Sequence, residues 1–98
     1  MEVEFAHHDL DRLETDPGFT KGLPPAVVSV FRRRMQAIRA AVDERAFYAL
    51  KSLHFEKLEG QRQHQHSMRI NDQFRLIVEL KGIAPDKRVI IVDIEDYH

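Results

Sequence analysis

Apolar and polar residues alternate with period two at the start of the chain, where Val3 and Phe5 interleave with Glu2 and Glu4, and this spacing predicts a short opening strand. The period then lengthens. Leu10 and Leu13 suit a short helix, with Asp9 as its expected cap, ending before Thr15-Asp16-Pro17-Gly18. Pro24-Pro25 fits the first turn of a longer helix, because proline lacks the amide hydrogen that would go unsatisfied there. Val27, Phe31, Met35, Ile38 and Val42 follow at spacings of four, four, three and four, which makes one apolar stripe along that helix. Arg32, Arg33, Gln36 and Arg39 fall on the opposite side as its wet face, and Asp43 is placed to cap a last short helix through Ala46, Phe47 and Leu50.

From about His66 the period returns to two, first in Met68 and Ile70, then in Phe74, Leu76, Val78 and Leu80, before a β-branched run from Val89 to Ile94. Three antiparallel strands are predicted. A two-residue turn at Asn71-Asp72 would set Met68 against Arg75 and Arg69 against Phe74, with cations on the core face, so the hydrophobic pattern rejects that register. A connection over Asn71, Asp72 and Gln73 instead puts Met68, Ile70, Phe74 and Leu76 on one face, with Arg69 opposite Arg75 on the other. The expected fold class is α+β, an N-terminal short strand and helices packed on one face of a small antiparallel sheet, in a single domain over residues 1–98.

Composition narrows the function. With 43% hydrophobic and 32% charged residues the chain is globular in character. The lack of cysteine excludes disulfides, thiolate zinc sites and thiol catalysis, and suits a reducing compartment. No apolar run reaches the roughly 20 residues of a membrane span, and Met1-Glu2-Val3-Glu4-Phe5 lacks the basic start of a signal peptide, so a cytoplasmic protein without membrane contact is expected. The formal net charge is -1, whereas proteins that grip many phosphates are usually basic overall. The charges are segregated, however, with Arg32-Arg33-Arg34 and Arg39 in the middle and Asp93, Glu95 and Asp96 at the end, so a local basic surface is compatible with that total.

Like charges directly opposite in a sheet are destabilising, so an Arg69–Arg75 pair calls for an anion. A phosphate would serve, and so would Glu79, Asp93 or Glu95, which share the polar parity and would make the patch a solvated salt-bridge network. Before the sheet, His54, Lys57, Arg62, His64 and His66 offer three imidazoles and two cations, and an imidazole exchanges protons near neutral pH. His64 and His66 are spaced as neighbouring metal ligands, but no third ligand is indicated and no metal is expected. His7-His8 reads as solvated loop. In Asp93-Ile94-Glu95-Asp96-Tyr97-His98 a carboxylate, a phenol and an imidazole beside two arginines would supply orientation, stacking and proton transfer together; a frayed terminus is the bland alternative.

Leu53-His54, Leu58-Glu59-Gly60-Gln61-Arg62, the run from His66 to Leu76, and Glu95-Asp96-Tyr97-His98 together resemble the RelE/ParE superfamily of toxins and, within it, the HigB or plasmid-killer branch. The resemblance implies a toxin of a type II toxin–antitoxin system, a ribosome-associated endoribonuclease that cuts messenger RNA without metal or cofactor. It implies a cognate helix-turn-helix antitoxin as partner, with DNA reached only through that antitoxin. His54, Arg75, Asp96, Tyr97 and His98 match the family's catalytic positions, with Lys57, Arg62 and Arg69 expected on the RNA. Where the family often shows Leu-Lys-Gly this chain has Leu58-Glu59-Gly60, which leaves Lys57 as the substitute two positions earlier, and Phe74 stands where the family commonly has tryptophan. In the implied chemistry the 2′-hydroxyl of RNA is the nucleophile, Arg75 helped by Lys57 or Arg62 stabilises charge on the phosphate, and His54 and His98 move protons. Tyr97 stacks a splayed base and Asp96 orients a neighbour. The rival readings are an inhibitor of DNA gyrase and an inactive scaffold in an operator-binding complex, and the His/Tyr end favours the nuclease.

Overall fold

A computed structural model describes residues 1–83 and 85–97. Strand β1 (Glu2–Phe5) leads into helices α1 (His8–Thr15), α2 (Pro25–Ala40) and α3 (Arg45–Ala49), and strands β2 (Glu56–Lys57), β3 (His66–Arg69), β4 (Phe74–Lys81) and β5 (Arg88–Asp96) follow. The described strands form one sheet in the order β1-β5-β4-β3-β2. The sheet is mixed rather than purely antiparallel, because β1 pairs with β5 in parallel while every other pairing is antiparallel. Parallel neighbours need a long crossover, and the chain between Phe5 and Arg88 supplies one. Alternation at Val3 and Phe5 marks a strand but carries no information on its partner.

The helices begin and end where local chemistry allows, with three departures. Pro24 is the N-cap and Pro25 the first residue of α2, as the missing amide hydrogens favour. Helix α1 is capped at His7 without a side-chain bond; Asp9 lies inside its first turn, favourable for the helix dipole, and pairs with Lys21 Nζ at 3.0 Å. The apolar stripe of α2 stops at Ile38, because the helix ends at Ala40 and the extended backbone at Ala41 throws Val42 into solvent, 91% exposed. Asp43 does serve the start of α3, its Oδ1 accepting from the Arg45 amide at 3.0 Å, although Leu50 is left outside the core.

Leu10 and Leu13 from α1 and Val27, Phe31, Met35 and Ile38 from α2 pack with Met68, Leu76, Val78, Val89 and Ile91 of the sheet into one buried cluster. Each such side chain contributes about 1.5–3 kcal/mol by leaving water. Arg33, Gln36 and Arg39 are exposed, as a wet face requires, but three arginines of α2 also act as clamps. Arg32 donates to the carbonyls of Leu13, Asp16 and Phe19, Arg34 Nε donates to the Arg69 carbonyl at 2.9 Å, and Arg39 grips both oxygens of Glu14. The bonds of Arg32 to Leu13 and Asp16 and of Arg34 to Arg69 satisfy carbonyls at the ends of α1 and β3. Among the described residues no helix is long and apolar enough to cross a membrane.

The β3–β4 register is the one the pattern selects, with Met68 opposite Leu76 and Arg69 opposite Arg75. Asn71 holds the connection, its Oδ1 accepting from the amides of Gln73 and Phe74 at 2.8 and 2.7 Å. Between β4 and β5 the register shifts: Ile77 lies opposite Asp93 but Val78 opposite Ile91, so Val92 is the extra residue of a bulge. The bulge reverses the parity of β5. It lets Val89, Ile91 and Ile94 all face the helices while Asp93 and Glu95 face away.

Candidate functional site

The face of the sheet turned away from the helices carries the charge. On β4 the pleat sends Leu76 and Val78 to the helices and Arg75, Ile77 and Glu79 to this open face, and the register adds Arg69, Ser67, Asp93 and Glu95 from the flanking strands. Ile77 is nonetheless 0% exposed. The segment from Leu58 to Gln65, which includes the 3-10 turn Gly60–Arg62, folds back as a strap. The Leu58 amide bonds the Gln65 carbonyl, Gln65 Nε2 donates to Glu79 Oε2 at 3.1 Å, and Arg62 makes a two-pronged ion pair with Glu95, Nη1 to Oε1 at 3.0 Å and Nη2 to Oε2 at 2.6 Å. Arg62 Nε donates to Gln65 Oε1 at 3.0 Å. The Glu95 carboxylate raises the Arg62 guanidinium further above its ordinary value.

Arg75 lies beside this pair. Glu95 is its cross-strand neighbour yet gives both oxygens to Arg62, and among the described residues Arg75 has no ion-pair partner. Its Nη1 is buried and meets no acceptor, while the Tyr97 ring stands 5.7 Å from its guanidinium carbon, within cation–π range. The Tyr97 amide donates to the Gln73 carbonyl at 2.6 Å, and Gln73 Nε2 donates to Asp96 Oδ2 at 3.0 Å, so the β3–β4 connection holds the end of β5. Arg69 pairs with Asp72 across the connection. None of the carboxylates expected to neutralise the arginine pair bonds to Arg75: Glu95 gives both oxygens to Arg62, Glu79 Oε2 accepts from Gln65, and Asp93 Oδ1 accepts from the Ile94 amide.

The predicted residues divide. Arg62, Arg75 and Tyr97 come together. His54 ends the turn Lys51–Leu53 in a left-handed conformation, φ 45° and ψ 51°, and is exposed. The β2–β3 pairing ends at Glu56 opposite Ser67, two residues after His54, so the ladder does not fix the face that His54 takes. Lys57 and Asp96 fall on the parity opposite to that of Arg75. Lys57 lies opposite His66, whose own neighbour is Val78 of the helix side, and Asp96 lies opposite Phe74. Lys57 also borders a hollow of about 330 Å³ with Leu58, Glu59, Gly60 and Gln63 beside the strap. His98 lies outside the described residues.

His64 and His66 part company. His64 Nε2 sits 3.9 Å from Glu79 on the open side, whereas His66 stacks on Phe55 at 4.7 Å with its Nδ1 buried and without a partner. Burial lowers the His66 pKa, Lys57 lowers it further, and Glu44 opposes them. Among the described residues no three His, Asp or Glu side chains gather as metal ligands. Two features went unpredicted: the Arg62–Glu95 pair and the covered Ile77. An apolar residue on polar parity between Arg75 and Glu79 was the available signal that something covers that face.

The profile of the HigB-like toxin family, described as the RelE-like toxin of the type II toxin-antitoxin system HigB, matches residues 3–98. A solved structure of the YoeB/ParE toxin from Agrobacterium tumefaciens has a similar fold, with a TM-score of 0.61, 16% identity and 100% of each chain covered. No curated protein matches the sequence.

Proposed function

The chain belongs to the HigB-like family of RelE-like toxins of type II toxin–antitoxin systems, and from that premise we propose that it is an endoribonuclease that cuts messenger RNA on the ribosome without a metal. The observation that carries this reading is Arg75, a guanidinium on the open face with a buried Nη1 that meets no acceptor among the described residues. A buried donor left unmade costs about 1–3 kcal/mol, more when charged, and a phosphodiester oxygen is an acceptor of the right charge and geometry.

The chemistry needs little more from the protein. RNA carries its own nucleophile in the 2′-hydroxyl, so the residues have to move protons and stabilise charge on the phosphate. Arg75 takes the charge, with Arg62 as second cation and Lys57 and Arg69 contributing positive field from the neighbouring strands. His54 and His98 exchange the protons. Tyr97 stacks an unstacked base, which its place over Arg75 supports. Asp96 orients the strand end through Gln73, the residue that also holds the Tyr97 amide.

Family membership makes an antitoxin the partner; the helix-turn-helix class of that antitoxin, the contact with DNA only through it, the cytoplasmic setting and the action of residues 1–98 as one toxin domain belong to the same proposal. Analysis of messenger ends in cells producing the chain tests it. The expected ends are 2′,3′-cyclic phosphate or its 3′-phosphate opening product. Growth arrest with intact messenger, or ends carrying a 3′-hydroxyl, overturns the reading.

A further inference from the structure

The Arg62–Glu95 pair is built as a substitute for a bound phosphate. A carboxylate presents two oxygens to the guanidinium fork in the geometry that two phosphate oxygens would use. Both side chains are partly solvated, at 43% and 30% exposure, and pairs of this kind typically favour their closed form by only about two- to fivefold. Glu95 also stands directly across the ladder from Arg75, so the same carboxylate lies between the satisfied cation and the unsatisfied one.

Resting on the reading of this face as an RNA site, we propose that Glu95 is an internal competitor of the RNA phosphate, occupying Arg62 in the free protein and releasing it when a phosphodiester held by Arg75 arrives. Arg75 is the first contact because, among the described residues, it has no ion-pair partner and its cross-strand neighbour Glu95 gives both oxygens to Arg62. Arg62 is the second, gained by exchange of one two-oxygen acceptor for another. The exchange also loosens the strap, since Arg62 is one of its side-chain ties to the sheet, beside the Gln65–Glu79 bond and the His64–Glu79 contact. The free protein therefore keeps half of its cationic site occupied until RNA is present.

The test is the affinity of the parent, Glu95→Gln, Arg62→Ala and the double variant for ribosomes programmed with a 2′-O-methylated messenger, and for the same oligonucleotide free, at two salt concentrations. Glu95→Gln should bind about two- to fivefold tighter, the factor by which the exposed pair holds Arg62 back. Its log affinity should fall with log salt at the parental slope, because once Arg62 has exchanged the same phosphate contacts exist in both complexes. Arg62→Ala should bind more weakly, and in that background Glu95→Gln should no longer tighten binding. A tightening that persists without Arg62 means that Glu95 acts only through its general negative field, and overturns the proposal. So does a Glu95→Gln protein, folded by circular dichroism, that binds no better than the parent. Arg75→Ala measured alongside separates the two levels of the argument. If Arg75→Ala loses binding while Glu95→Gln matches the parent, the competitor fails and the RNA site stands; if Arg75→Ala binds and cuts as the parent does, the RNA site fails and the competitor with it.

Discussion

On β4, Leu76 and Val78 join the buried cluster with the helices, whereas Ile77, one step away, is buried on the other face, where a strap of polar residues is tied to Glu79 and Glu95. The helix side is closed by apolar contacts from α1 and α2, each made by a side chain with nowhere better to go. The open side is closed by an exposed ion pair and one amide–carboxylate bond. Neighbouring residues on the same strand thus sit under covers of different strength. The difference explains why charge chemistry belongs on the open side: a cover held by solvated polar contacts can trade them for those of a ligand, and a packed core cannot without opening a cavity.

Truncating either side tests this contrast. Leu76→Ala should destabilise the protein by about 2–5 kcal/mol, as buried leucines do, and lower cleavage only in proportion to the folded fraction. Arg75→Ala, on the adjacent residue, should do the reverse: stability at or above that of the parent, because a buried donor without an acceptor is removed, and cleavage reduced about 10²–10³-fold, the usual cost of losing one preorganised charge-stabilising donor. Urea unfolding and messenger cleavage on the same samples decide it. Comparable stability losses in the two variants would erase the distinction between the faces.

A smaller effect should follow from removing Tyr97 and His98. The deletion takes nothing from the buried cluster and breaks one described backbone bond, Tyr97 to Gln73. Base stacking on an aromatic ring is worth about 1–3 kcal/mol, so loss of Tyr97 alone should weaken RNA binding roughly fivefold to a hundredfold. Antitoxin pull-down should be unchanged. A truncated protein that cuts at the parental rate removes Tyr97 and His98 from the site.

The smallest effect belongs to the helix side. The His66 pKa is lowered in the folded protein, chiefly by burial against Phe55, with Lys57 adding to the shift and Glu44 opposing it. Below its unfolded value of about 6.5 the unfolded chain therefore binds the proton first, and stability falls as the pH drops from there through the lowered folded value. Asp43, held down to about 2 by Arg45, titrates well below this window. His66→Gln should flatten the difference in stability between pH 7.5 and pH 5.5. An unchanged difference assigns the slope to other groups.

Much of the fold and part of the site could be read without coordinates. Pro24-Pro25 set the start of α2 because a ring-locked φ and a missing N–H are intrinsic to proline. The opposition of Arg69 and Arg75 followed from pleat parity and the length of one connection, both local properties. The cap of α1 falls at His7 rather than Asp9 and Val42 leaves the apolar stripe, because a cap and a helix end depend on where neighbouring elements pull the chain; Arg33, Gln36 and Arg39 do form a wet face, while the carbonyls that Arg32 and Arg34 satisfy lie elsewhere in the sequence.

The sequence by itself determined which residues alternate, where the long helix begins, which side of β4 is apolar, and that two arginines face one another on the other side. Only the tertiary structure decided that β1 joins β5 in parallel, that Val92 is bulged so that Val89 and Ile91 share the helix side with Ile94, that Lys57 and Asp96 fall on the helix-side parity, and that Glu95 belongs to Arg62 rather than Arg75. The physical reason is range. Side-chain parity and proline geometry act within a few residues, whereas a strand's partner, a bulge and the ownership of a carboxylate are settled by contacts between distant parts of the chain, and Arg62 and Glu95 stand 33 residues apart.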